Sequence, residues 1–296
     1  PETILVDKHP AYNSTLHGME LGKKWNIPVA SVQHHKAHFA SVLGEHGLFG
    51  QHSPVLGVVW DGTGYGDDEQ IWGGEFFTYQ DHTIERVGHF DYFDWLASDK
   101  MAKEPRISFF SLADAAMNEE IQQKFSKEEI SIYRHLKKKA LLKTSSVGRL
   151  FDAVASLLNL CDLNTYEGEA AILLENQVHQ YQLENCTSYI SEIKDDIVPT
   201  HLLFAKIHHD YRNGRNKQEI IADFLFTLAT MVIKMAEKQN IKVIAMSGGV
   251  FQNTVLIDMI KELAGSEYKL YFNRNLSPND ENISFGQVAY HQYIKH

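Results

Sequence analysis

Short apolar runs alternate with stretches of helical period along the first part of the chain, and that alternation predicts its elements. "TILVD" (3–7) is an apolar run ended by a polar residue and reads as a buried strand. In "HPAYNSTLHGMELGKKWN", Ser14 or Thr15 is the expected cap of a helix reaching about Trp25. "IPVASV" (27–32) reads as a second strand, and His34 opens the next helix, "HHKAHFASVLGEHG". Strand, helix, strand in that order predicts a parallel pair. The stretch from Pro54 to Phe90 reads as three strands, 55–60, 71–79 and 84–90, with Gly62, Gly64 and Gly66 expected to supply positive φ where the first hairpin reverses. From about 98 to 185 the pattern is mainly helical. "KVIAMSGG" (242–249) is a buried strand entering a glycine turn and the helix "NTVLIDMIKELA". "YKLYFNRN" is a final strand, and "LSPND" turns into a last helix expected to end near His296. Parallel βαβ, antiparallel meander, helical insert and a second βαβα make the chain α/β.

Composition adds exclusions. At 296 residues the chain can bury a large core, as one bilobal domain or two small ones. Its 28 basic and 38 acidic residues leave a net charge of −10, which argues against a broad nucleic-acid footprint. The basic run "HLKKKALLK" reads as a solvated helix face. Cys161 and Cys186 form no CxxC pair, so neither a zinc knuckle nor a disulfide framework is available, and the cytoplasm is the expected location. No apolar run reaches the length of a membrane span and no signal peptide opens the chain. Beginning at Pro1 without Met, the sequence reads as a processed or cut-out piece of something longer.

Candidate chemistry begins with "SVQHHKAHFAS" (31–41). His34 and His38 are four apart, so on a helix they share a face and can grip one metal if another segment supplies further ligands. His35 lies on another face and reads as a solvent or packing residue. In "WDGTGYGDD", Asp61 ends a buried strand, where it either binds metal or merely bonds to turn amides. "MSGGVFQN" repeats strand, two glycines and helix start, a geometry that lets backbone approach a nucleotide. Asp280 in "SPND" has helix capping as its plain alternative. Asp152, in "SSVGRLFDAVASLL", either faces a cleft or lies on its helix's wet side, and "YEGEAAILLE" sets Glu167 and Glu169 around Gly168 at another helix entry.

Taken in order, HHKAH, DGTGYG…IWGGEF, SSVGRLFDAVASLL, YEGEAA, SGGVFQN and PND…SFGQ, with the opening DKHPAYNST, resemble the C-terminal transferase domain of the hydrogenase-maturation carbamoyltransferase over nearly the whole chain. The series is similar, more distantly, to tRNA threonylcarbamoyl transferases and antibiotic O-carbamoyltransferases. The resemblance implies an actin/sugar-kinase-like (ASKHA) bilobal α/β fold. It assigns 1–52 to a partial, N-terminally truncated lobe one and 53–296 to lobe two, with a helical insert at 98–185 and the last helix a candidate to return to lobe one. It implies one divalent metal (zinc, iron or magnesium) on His34, His38, Asp61 and Asp280, and ATP, AMP or carbamoyl-adenylate as nucleotide. Asp61, Gly62 and Gly64 would serve the reacting group, and Asp152, Glu169, Gly248, Gly249 and Asn253 the nucleotide. The implied reaction carries a carbamoyl group from carbamoyl-adenylate to the C-terminal cysteine of a partner maturation protein, on the way to the cyanide ligand of nickel–iron hydrogenase. An upstream domain would make the adenylate, and neither nucleic acid nor membrane takes part.

Two stretches depart from that family. Glu281 and Asn282 stand where two glycines usually follow PND, which predicts a restricted turn with an added charge near the metal. A family stretch resembling GGDKAxxEPWR appears as "ASDKMAKEPR" (97–106), without both glycines and the tryptophan but with Asp99, Lys100, Glu104 and Arg106. These departures favour the alternative of a nucleotide-binding docking module of the same fold without turnover. A metalloprotease is set aside because HExxH needs Glu where His35 stands. The "SGGVFQN" and "DGTGYG" forms disfavour tRNA modification.

Overall fold

A computed structural model describes residues 1–178 and 180–294. The chain opens with β1 (Ile4–Asp7), α1 (Asn13–Trp25) and β2 (Val29–Val32), and the strands pair in parallel with Ile4 opposite Val29. The expected caps do not start α1. It begins behind Tyr12 without a side-chain cap, and the Thr15 hydroxyl donates to the Asp7 carbonyl, 3.1 Å away. The helix closes at Asn26, whose φ of 54° is a left-handed stop that Asn tolerates. α2 (His34–Glu45) follows β2 directly, and the side-chain oxygen of Gln33 caps it by accepting from Lys36 N.

Next come β3 (Val55–Tyr65), β4 (Ile71–Gln80), β5 (Thr83–Phe90) and the short β6 (Phe93–Asp94). The helical stretch holds α3 (Lys100–Lys103), α4 (Pro105–Leu112), α5 (Asn118–Lys124) and α6 (Lys127–Lys139), then the two-residue β7 (Lys143–Thr144), α7 (Val147–Leu157) and α8 (Glu169–Glu175). β8 (Ile197–Val198), α9 (Thr200–Arg212), α10 (Lys217–Gln239), β9 (Val243–Ser247), α11 (Thr254–Ala264), β10 (Lys269–Phe272) and α12 (Ile283–Tyr293) complete the order. α12 ends at Tyr293, and His296, the expected end, lies outside the described residues. Among the described residues no helix is long and apolar enough to cross a membrane.

The large sheet runs β10-β9-β3-β4-β5-β8, parallel from β10 to β3 and antiparallel across β3, β4 and β5. β3 is buried on both faces, and the period of two sorts its side chains. Leu56, Val58 and Trp60 join a core with α4, α7, α9, α10 and α11, while Val55 and Val59 join Phe39, Val42 and Leu43 of α2 on the other face. α12 packs along α2 and touches both strands of the small sheet. α9 and α10 are absent from the elements expected above. α10 buries Ile220, Phe224, Leu228, Met231 and Met235 on one side and Asp223, Thr227 and Ala229 beyond it, and no residue from Ile220 to Ala236 is exposed, so no polar face marks it.

Of the three glycines after Asp61, only Gly66 lies where the hairpin reverses, its N–H donating to Gln70 O at 2.8 Å. β3 continues through Gly62 and Gly64 to Tyr65, and none of Gly62, Gly64 and Gly66 has a positive φ, whereas Glu69 does, at 63°. Gly64 is there for close approach. A Cβ on it would lie 2.3 Å from the His35 ring and 3.0 Å from that of His34. Ala97 and Ser98, which stand where the family has glycines, have φ of 58° and 49°, a left-handed backbone that glycine adopts more freely.

Candidate functional site

α2 starts where β2 ends, so His34 and His38 present one helix face at the end of the small sheet. β3 delivers Asp61 from below, and the turn entering α12 delivers Asp280. His34 Nε2 lies 3.4 Å from both Asp61 Oδ2 and Asp280 Oδ1, and His38 Nε2 lies 3.8 and 3.5 Å from the same oxygens. One ligand atom from each of the four residues falls within 4.8 Å of every other. Both Nε2 atoms are buried without a hydrogen-bond partner, although buried polar nitrogens are normally satisfied. Two imidazole lone pairs and two carboxylates converging in this way fit a divalent transition ion.

The same carboxylates make the pocket favourable to positive charge. Burial alone would lower the His34 pKa, but Asp280, Asp61 and Asp7 raise it well above the usual imidazole value. Burial would raise Asp61, but His34 and His38 hold it well below the usual carboxylate range. Asp280 is lowered mainly by His34 and then by His38. His35 stands apart from the cluster. It is fully buried against Gly64 and Trp72, and burial and the neighbouring His34 lower its pKa well below normal, so it is a packing residue and not a solvent one.

Two outer partners were not foreseen. Asp7 Oδ2 meets His34 Nδ1 at 2.9 Å, and Asn282 Oδ1 meets His38 Nδ1 at 3.0 Å. The signal for Asp7 was a polar residue closing an apolar strand. The departure from glycine at 281 and 282 predicts a restricted turn, and residues 280–282 form a short 3-10 turn in which Asn282 has ordinary φ of −84°, so the backbone there does not need glycine. Asn282 is fully buried and hydrogen-bonded, and the added charge of Glu281 is exposed.

The glycine turn after β9 lies beside Asp61. Gly248, at φ 103°, has its missing Cβ position 2.2 Å from the Trp60 carbonyl oxygen, and its N–H donates to Pro278 O at 2.9 Å. Gly249 N–H points at Asp61 Oδ1 from 3.4 Å. Behind Gly62, Ser146 at the start of α7 donates its hydroxyl to the Asp61 and Gly62 carbonyls, 2.8 Å each. Arg149, another residue sequence reasoning passed over, brings Nη2 to the open side of Gly62 and Nε to 3.1 Å from Asp152 Oδ2. Asp152 is therefore not on a wet helix face. It is 3% exposed, its Oδ2 has no hydrogen bond, and burial pushes its pKa up to about 6 against the pull of Arg149.

The remaining candidates have local partners. Asn253 caps α11 by accepting from Leu256 N at 2.8 Å, which leaves its buried Nδ2 unpartnered. Glu169 accepts from the Thr165 hydroxyl at 2.9 Å and from the Thr165 N–H, bonds that lower its pKa. Glu167 is exposed. In the 97–106 stretch, Arg106 spans Glu104 and Glu129 at 2.9 and 2.8 Å, so this pair braces the helical insert.

Residues 57–287 match the family described as carbamoyltransferase, Kae1-like domain, second subdomain, and residues 1–45 match the HypF Kae1-like domain. The chain is similar to a probable carbamoyltransferase HypF of Methanocaldococcus jannaschii, at 34% identity over 98% of this chain and 39% of the relative. It is equally similar to carbamoyltransferase HypF of Synechocystis sp., at 34% identity over 97% and 40%. Among solved structures, full-length HypF in the phosphate- and nucleotide-bound form superposes with TM-score 0.86 at 28% identity, covering 98% of this chain and 46% of that one. HypF of T. kodakarensis gives 0.87 at 26%, covering 99% and 41%. The expected α/β fold is the fold of these proteins. The chain spans about two-fifths of the length of the curated relatives it matches.

Proposed function

The chain belongs to the HypF carbamoyltransferase family through its Kae1-like domain, and on that footing we propose that it transfers a carbamoyl group from carbamoyl-adenylate to the C-terminal cysteine thiol of a hydrogenase-maturation partner. The observation that carries the reading is the convergence of His34, His38, Asp61 and Asp280 with both Nε2 atoms unpartnered. A divalent ion there would act as a Lewis acid on the oxygens of the mixed anhydride. The rest falls to the chain. Asp152 accepts from the ribose hydroxyls, and its place behind Arg149 sets the nucleoside on the far side of Gly62 from the imidazoles. The Gly248–Gly249 turn admits the adenylate to Asp61, and the spare Asn253 amide donates to it. Glu169 stands at the entry of α8 at the margin of this nucleotide path. Gly62 contributes backbone that leaves room for the carbamoyl group, while the space beside Gly64 is taken by the His35 and His34 rings. The thiol gives up its proton to solvent, the thiolate adds to the carbamoyl carbon, the bond to the phosphate oxygen breaks, and AMP leaves with that electron pair.

In this reading the adenylate is made upstream by another domain, the site lies between a lobe formed by residues 1–52 and one formed by 53–296, and the reaction takes place in the reducing cytoplasm. The test supplies carbamoyl-adenylate and a peptide ending in cysteine to the zinc-loaded chain and follows S-carbamoylation by mass spectrometry. Thiocarbamate formation that is lost in His38→Ala is expected. A metal-loaded chain that binds adenylate and transfers nothing would reduce it to a docking module.

A further inference from the structure

We propose that Asn282 is a positioning residue that fixes His38 in the tautomer carrying its proton on Nδ1, so that the Nε2 lone pair faces Asp61 and Asp280. The argument is one of hydrogen-bond direction. Asn282 Nδ2 lies 2.9 Å from the Ser277 carbonyl oxygen, which can only accept. That fixes the amide with its nitrogen toward Ser277 and its oxygen toward His38 Nδ1, 3.0 Å away, and a carbonyl oxygen there demands an N–H opposite it.

A second route reaches the same orientation independently. Glu45, at the end of α2, accepts the backbone N–H groups of Arg274 and Asn275, and although burial acts to raise its pKa these bonds lower it, so it is an ionised acceptor. The Asn273 amide nitrogen faces Glu45 Oε2 at 3.5 Å and Ser41 Oγ at 3.0 Å, and Ser41 has already given its hydrogen to His38 O. Asn273 Oδ1 is therefore an acceptor. It takes the Ser247 hydroxyl at 2.7 Å and the Asn282 amide at 3.3 Å. With its hydrogen spent on Asn273, Ser247 can also only accept from His38 Nδ1, at 3.4 Å. Every bond from Glu45 to His38 points one way. The result is an asymmetric pair of arms, a carboxylate behind His34 and a neutral amide behind His38.

The proposal rests on the metal reading of the site, but its first readout does not. In nitrogen-15-labelled, metal-free protein at a pH high enough for the imidazoles to be neutral, long-range proton–nitrogen correlation should show His38 carrying its single proton on Nδ1 and bare on Nε2. Asn282→Gly and the near-isosteric Asn282→Leu should admit the other tautomer and weaken zinc binding by about 10–100-fold in a competition titration. Glu45→Gln, remote from the site, should shift the tautomer in the same direction to a smaller extent. His38 carrying its proton on Nε2 in the unaltered protein would overturn the proposal, as would Asn282→Leu with unaltered tautomer and zinc affinity. An Nδ1-protonated His38 in a protein that binds no divalent ion would sink the metal reading and leave the relay standing.

Discussion

Asp61 and Asp152 lie on either side of the Gly62–Arg149 contact, both largely buried, and the fold drives their carboxyl groups in opposite directions. Asp61 meets two imidazoles and is held ionised well below its ordinary range, whereas Asp152 meets one imperfectly aligned guanidinium and is pushed up to about 6. Burial is the leading influence on both, and the number of well-placed partners decides the sign. The ionised group is suited to a cation. The other is suited to hydroxyl donors, and it carries a desolvation penalty until one arrives. The two halves of the site are thus separable by experiment.

The largest effect should come from the ionised side. Removing Asp61 or His34 by alanine substitution should raise the zinc dissociation constant by more than about 100-fold, because a four-ligand site loses its closure. His35→Ala should bind zinc as the parent does while losing about 2–4 kcal/mol of stability, since it empties a packed position. Equal zinc loss in His35→Ala would erase the distinction between face and packing. On the other side, Asp152→Asn should stabilise the protein. The raised pKa means that the folded state holds its proton between about pH 4 and 6 while the unfolded chain does not, so stability falls as pH rises through that window and stays low above it. Denaturation at pH 7.5 should show Asp152→Asn more stable by roughly 2–3 kcal/mol, with the difference gone below about pH 4. A gap independent of pH would show an unperturbed carboxyl. Asp152→Ala should weaken AMP binding by roughly 1.5–3 kcal/mol in calorimetry, and unchanged affinity would remove Asp152 from the nucleotide path. Ala97→Gly tests the smallest effect. Relieving one left-handed non-glycine residue should add about 0.5–1 kcal/mol in thermal denaturation.

How much was legible follows from the range of each interaction. His34 and His38 could be paired because a helix relates positions four apart by local geometry alone, and Asp61 could be placed because a buried strand ends visibly in its own residues. The tie between Asp7 and His34 spans 27 positions, and the one between Asn282 and His38 spans 244, and no local period encodes either. Gly64 was misread because glycine serves tight turns and close contacts alike, and the sequence does not say which. α10 escaped because burial around much of its circumference blurs the polar face that announces a helix. Asn282 shows the opposite case, in which a departure from a family's usual glycines reads as a restricted turn and its four bonds are visible only in the fold.

The span between His38 and Asn282 also has a meaning in time. At a synthesis rate of about 5–20 residues per second, roughly 12–50 s separate the emergence of the two residues from the ribosome. Throughout that interval the two imidazoles have emerged without Asp280. An ion met early would find two ligands and bind weakly. On the proposed metal reading, firm capture would wait for the Asp280 turn, and metal occupancy would then report that the sheet, the glycine turn and the last helix have come together.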